Sequence, residues 1–191
     1  MNSIMSILKS KAVTRAGVLV FVLCAGSIVP AFARAAHQEG AAAMKDGASI
    51  DSIIAALYDV ISGPAGKKRD WDRMRSLFIP GARLIPTGKR QGGEIASRVM
   101  TVDDYATANS KFLEENGFFE KEISRRTETF GNIAHVFSTY ESRHKADDPK
   151  PFARGINSIQ LMNDGKRWWI VTVFWQGEGP DNPLPAQYLK K

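Results

Sequence analysis

Apolar side chains return every three or four positions in the first half of the chain and every second position in its last third. Ile50, Ile53, Ile54, Leu57, Tyr58 and Ile61 fall on one stripe of a helix. Ser49 is placed to cap its start, and Gly63-Pro64 to end it. Asp70 can cap a short second helix carrying Trp71, Met74, Leu77 and Phe78, which Pro80-Gly81 stops before an extended segment from Ala82 to Pro86. Thr101 and Asp104 make a capping-box pair ahead of a third helix through Tyr105, Ala108 and Phe112. Asn116-Gly117 supplies a left-handed stop.

Beyond Gly117 the period shortens to two, over residues 118–130, 133–143, 153–163 and 166–176. Gly131-Asn132 and Asp164-Gly165 read as two-residue hairpin turns. Helices first and strands last predict an α+β fold: three N-terminal helices packed in a strongly curved antiparallel sheet, one domain over residues 49–176. Residues 36–48, rich in Ala and Gly without an apolar period, read as a mobile lead-in. Residues 177–191, with Pro180, Pro183 and Pro185, read as an extended tail lying on the surface.

Residues 1–35 have a different build. A basic start precedes an uncharged apolar run from Ala16 to Val29, and Ala31-Phe32-Ala33 and Ala33-Arg34-Ala35 offer small-x-small cleavage sites. This is the pattern of an export signal cut after Ala33 or Ala35, giving a periplasmic or secreted protein. The apolar run is shorter than the roughly 20 residues that a membrane-spanning helix needs, so no membrane association is expected after cleavage. Cys24, the single cysteine, would leave with the signal, and His37, His135 and His144 are scattered, so no metal site is expected and no cofactor is implied.

Charge adds one exclusion. The formal charge of +6 shrinks once Lys9, Lys11, Arg15 and Arg34 are set aside, leaving 22 basic against 20 acidic side chains. A nearly neutral body argues against nucleic acid as a partner.

The order of elements, with Asp70-Trp71-Asp72, Arg75, Leu77-Phe78, Pro80-Gly81-Ala82-Arg83-Leu84 and Asp164-Gly165-Lys166-Arg167-Trp168-Trp169-Ile170-Val171, resembles the nuclear transport factor 2-like superfamily. The stretch Arg154-Gly155, Asn157-Ser158-Ile159-Gln160-Leu161 is similar to a secreted bacterial subgroup of it. The resemblance covers about residues 50–176 and implies a cystatin-like cone. That cone hosts ketosteroid isomerase, scytalone dehydratase and polyketide cyclases as well as binders and transport factors. Ketosteroid isomerase chemistry needs an inner Tyr, a protonated acid and a carboxylate base. Tyr58 matches the Tyr. The strand carboxylates Glu122, Glu128 and Glu141 share their face with Arg126 and read as a solvated ion-pair face, and His135 lacks a visible carboxylate partner.

Regular pairing across Asp164-Gly165 sets Asn163 against Lys166, Leu161 against Trp168 and Asn157 against Thr172. The resemblance implies that Trp168 points inward, and with it Ile170, Thr172, Phe174 and Gln176. Across Gly131-Asn132, the set Ala134, Val136, Ser138 and Tyr140 faces inward and His135 outward. The expected ligand-binding residues are therefore Tyr58, Trp71, Tyr140, Asn157, Trp168, Thr172 and Phe174, around a small apolar molecule with a polar handle. Trp169, Val171, Val173 and Trp175 would form an outer apolar stripe, covered by a homodimer or by the tail. Three functions stay open: a small-molecule binder, a dehydratase, isomerase or cyclase, and an interaction module with a filled cone.

Overall fold

A computed structural model describes residues 40–189; the export signal read over residues 1–35 lies outside them. Helix α1 (Ile50–Ile61) starts where Ser49 accepts the backbone N–H of Ser52 and closes a capping box with its side chain. Its stripe of Ile53, Ile54, Leu57 and Ile61 is buried. Helix α2 (Trp71–Leu77) is capped by Asp70, and helix α3 (Val102–Asn116) by Thr101 with Asp104. Gly117 ends α3 at φ 68°, where a β-carbon would stand 2.6 Å from the carbonyl oxygen of His144. Buried Arg69 donates to the carbonyls of Ile61, Gly63 and Leu113, tying the ends of α1 and α3 together.

The strands β1 (Phe78–Lys89), β2 (Ile95–Ser97), β3 (Phe119–Phe130), β4 (Ile133–Arg143), β5 (Ala153–Asn163) and β6 (Trp168–Gly177) form one sheet in the order β2-β1-β6-β5-β4-β3. Antiparallel pairing holds throughout except between β1 and β6, which run parallel. The expected α+β cone is present, with a mixed sheet. The concave side closes on α1: Val136, Ile159, Leu161 and Ile170 share one core with Ile53 and Ile54.

Two segments differ from the sequence reading. Residues 40–46, read as part of a lead-in, are helical. Asp46 pairs with Arg73 at 2.8 Å, and the carbonyl of Gly47 accepts the N–H of Trp168, so this segment adds backbone and charge contacts that an apolar period does not reveal. The tail leaves β6 and folds back along the convex face, with a 3₁₀ turn at Ala186–Tyr188. Thr139 Oγ1 donates to the carbonyl of Tyr188, whose ring packs edge-on against Phe137.

Register produces the larger corrections. The Gly131-Asn132 turn has two residues as expected, with Phe130 opposite Ile133. The Asp164-Gly165 turn is a four-residue loop instead, with Asn163 opposite Trp168. The Asp164 side chain accepts the N–H groups of Lys166 and Arg167 and organises that longer loop, which is why Lys166 and Arg167 never join the ladder. The Asp164 carboxyl is held down to about 2 by those two amides and by the Trp169 indole. A second irregularity makes Val171 an extra residue in β6: Leu161 faces Ile170, but Gln160 faces Thr172. From there the alternation is inverted. Val173 and Trp175 turn inward, while Thr172, Phe174 and Gln176 turn outward, so the outer stripe of Trp169, Val171, Val173 and Trp175 does not form as one face.

Candidate functional site

The same device sets the site on β3. Counted regularly from the Gly131-Asn132 turn, Glu122 would oppose Glu141 on the convex face. Ile123 is an extra residue in β3, so Glu122 opposes Tyr140 and Glu120 opposes Ser142. Both carboxylates are thereby turned into the cone, beside the inward face of β4.

They join a hydrogen-bonded cluster. Ser142 Oγ donates to Glu120 Oε2 at 2.8 Å, and Asn157 lines the same cavity as the Glu120 carboxyl. Asn157 Nδ2 donates to the Tyr58 oxygen at 3.0 Å; the Tyr58 hydroxyl lies 2.7 Å from Ser138 Oγ, which donates to Glu122 Oε1. Arg125 clamps Glu122 at 2.6 Å and also pairs with Asp51.

Glu120 faces a cavity of about 240 Å³. Leu57, Ile61, Met74, Leu84, Leu113 and Val173 make its apolar wall, and Trp175, Phe118 and Phe152 its aromatic one. Glu120 is the one formally charged side chain in that lining. Burial pushes its carboxyl up to about 7, against the Ser142 hydrogen bond and the nearby Asn157 amide, which favour the ionised form. Tyr105 and Tyr140 line the same cavity, and neither phenol has a hydrogen-bond partner among the described residues. Burial raises both phenols well above the ordinary tyrosine value, with the Glu120 charge adding to it. They are therefore neutral donors at neutral pH. A second opening, lined by Ser62, Glu122, Arg125 and Arg143, reaches Tyr58 and Glu120 between α1 and β3.

The structure brings Tyr58, Tyr140 and Asn157 together at this cavity. It does not bring the other expected residues there. Trp71 packs edge-on against Tyr105, behind the cavity wall. Trp168 packs on the core near the hairpin that Gly47 anchors. Thr172 and Phe174 lie on the convex side of the Val171 bulge, so Asn157 faces Trp175 rather than Thr172. His135 is on that convex side, hydrogen-bonded to Ser158. Glu120, Tyr105, Ser142 and Trp175 escaped the sequence reading; an inward Glu on β3 needs the bulge, and no residue of Glu122-Ile123-Ser124 marks it. Among the described residues no group of His, Cys, Asp and Glu is arranged to hold a metal ion.

No family model matches the chain, and no curated protein matches it. Solved structures do. A protein of unknown function with a cystatin-like fold from Nostoc punctiforme aligns with a TM-score of 0.51 at 13% identity, covering 71% of this chain and 92% of its own. A Kribbella flavida protein aligns with a TM-score of 0.52 at 13% identity, over 69% of this chain and 90% of its own. A protein of unknown function from Mycobacterium tuberculosis gives a TM-score of 0.50 at 14% identity, over 74% and 82%. Identities this low speak to architecture alone, and the curled sheet closed on α1 agrees with them: the chain has a cystatin-like α+β cone fold.

Proposed function

We propose that the cone binds a small, largely apolar molecule carrying a carbonyl or similar oxygen, and that Glu120 exchanges a proton with it, as in an isomerase or dehydratase. The observation that supports this is the grouping of one half-buried carboxyl poised near neutrality with two phenols that have no hydrogen-bond partner among the described residues, in an apolar cavity. A buried carboxyl without a cationic partner is costly for folding, and such a cost is a mark of functional sites. At a carboxyl value of about 7 both protonation states are populated at neutral pH, as general acid-base catalysis requires. Tyr105 and Tyr140 supply donors for an oxygen that gains negative charge as a neighbouring C–H gives up its proton. No cation lines the cavity, which disfavours an anionic ligand. Its volume is below the roughly 300 Å³ of drug-sized sites and suits one or two rings.

The test uses 1-indanone, a neutral bicyclic ketone with exchangeable α-hydrogens, in D₂O at neutral pD. Protein-dependent exchange, followed by proton NMR, should fall by about 100-fold or more in Glu120→Gln. Binding is followed by the fluorescence of Trp175, checked against Trp175→Phe. Equal exchange rates for the two proteins, or no binding at millimolar ketone, would overturn the reading. The proposed setting is extracytoplasmic, from the composition of residues 1–35. Mass spectrometry of exported protein should find a start at Arg34 or Ala36.

A further inference from the structure

We propose that Glu122 is a positioning residue: acting through Ser138 and Tyr58, it fixes which way Asn157 presents its side-chain amide, and so governs how firmly Glu120 holds its proton. The inference extends the reading of Glu120 as the proton-exchanging group, and it rests on the direction in which the hydrogen bonds must run. Arg125 donates to both Glu122 oxygens, at 2.9 Å from Nε and 2.6 Å from Nη2. A carboxylate clamped in this way accepts and does not donate. Ser138 has one hydroxyl hydrogen and gives it to Glu122. The contact between Ser138 and Tyr58 is then donated by Tyr58, whose only hydrogen is used. What remains on the Tyr58 oxygen is a lone pair, and only the Asn157 amino group, not its carbonyl, can satisfy that. The same amino group lines the cavity beside the Glu120 carboxyl, where an N–H favours the ionised form. Each link from Glu122 to Asn157 is short, and Ser138 and Asn157 are buried, so water does not compete for them.

Polarity set at Glu122 thus reaches Glu120 as a hydrogen-bond donor that favours the ionised form. If Glu122 becomes Gln, its carbonyl takes Arg125 and its amino group faces Ser138. Ser138 can then donate to Tyr58, Tyr58 to Asn157 Oδ1, and the flipped Asn157 offers Glu120 an acceptor. Glu120 would hold its proton more firmly. Direct electrostatics has the opposite sign, since removing a nearby negative charge makes an acid ionise more easily. The other groups around Glu120 stay in place in this comparison: Asp59 on α1, Tyr105 on α3, Lys121 and Arg125 on β3, Tyr140, Ser142 and Arg143 on β4.

The experiment titrates the ¹³Cδ signal of Glu120 in glutamate-labelled protein, identified by its loss in Glu120→Gln. In Glu122→Gln the midpoint should rise by about one unit. Ser138→Ala, which leaves the Glu122 and Arg125 pair intact, should shift it in the same direction and decides the matter should Glu122→Gln not fold. In an Asn157→Leu background, adding Glu122→Gln should produce no rise. A midpoint that falls or stays fixed in both single variants, or rises equally without Asn157, overturns the proposal. The measurement needs neither ligand nor turnover, so a failed ketone assay and a failed titration are separate results.

Discussion

Replacing Glu120 by Gln should stabilise the protein at alkaline pH and leave its stability nearly unchanged at acidic pH. In the folded chain the Glu120 carboxyl is pushed by burial from 4.5 up to about 7, with Ser142 and Asn157 opposing the rise. In the unfolded chain it titrates near the ordinary value. Because the folded value is the higher one, the folded state holds the proton more tightly. The stability linked to it is fully present below about pH 4.5 and is lost as the pH rises through about 7. At about 1.4 kcal/mol per pH unit, the loss amounts to about 3 kcal/mol at most. Gln keeps the shape and an acceptor for Ser142 but carries no charge to desolvate, so it escapes this loss. Urea unfolding of both proteins at intervals from pH 4 to pH 9 reads the effect as a difference of two free energies, which cancels every other titrating group. Glu120→Gln should gain up to about 3 kcal/mol over the unmutated protein at pH 8, or roughly 10 °C in Tm, with the gain fading to near zero at pH 4. A difference that does not change with pH, or one that favours Glu over Gln at pH 8, would refute the placement of this carboxyl in an apolar cavity.

Two further outcomes test the frame that holds the cavity. Arg69→Met should lower stability by about 3 kcal/mol, because it removes the side-chain donors to the carbonyls of Ile61, Gly63 and Leu113 and leaves Gly63 only the Phe118 N–H, and urea unfolding should show this at every pH. Gly117→Ala should cost about 1–3 kcal/mol, since the residue would sit at φ 68° with its β-carbon 2.6 Å from the His144 carbonyl; an unchanged Tm would contradict the geometry of the α3 stop.

The parts of this fold that sequence reveals are those decided by local chemistry. Ser49, Asp70 and Thr101 cap their helices because each offers an oxygen to an amide two or three residues on, which needs no knowledge of the rest of the chain. Gly131-Asn132 fixes its hairpin in the same local way, and with it the inward set Ala134, Val136, Ser138 and Tyr140. Even the lead-in follows this division: its helix is held by Asp46 on Arg73 and by Gly47 on Trp168, contacts to distant parts of the chain.

Register fails where both faces of a strand have the same character. Alternation pins a strand only if one face is apolar and the other polar, so that a slip of one residue is penalised at every position. In β6 the run Trp168-Trp169-Ile170-Val171-Thr172-Val173-Phe174-Trp175 is apolar on both faces, and the extra residue at Val171 leaves no contradiction in the pattern. In β3 the run Glu120-Lys121-Glu122-Ile123-Ser124-Arg125 is polar on both faces, with the same result at Ile123. The loop after β5 hides its length because Asp164 satisfies the amides that a tighter hairpin would have paired. These two ambiguous strands are also the ones that build the site: the β6 bulge brings in Trp175, and the β3 bulge brings in Glu120 and Glu122. A charged face that alternation assigns to solvent is turned inward by one unpaired residue, and the cost of that choice is accepted where the carboxylates meet Tyr58, Ser138, Ser142 and Asn157.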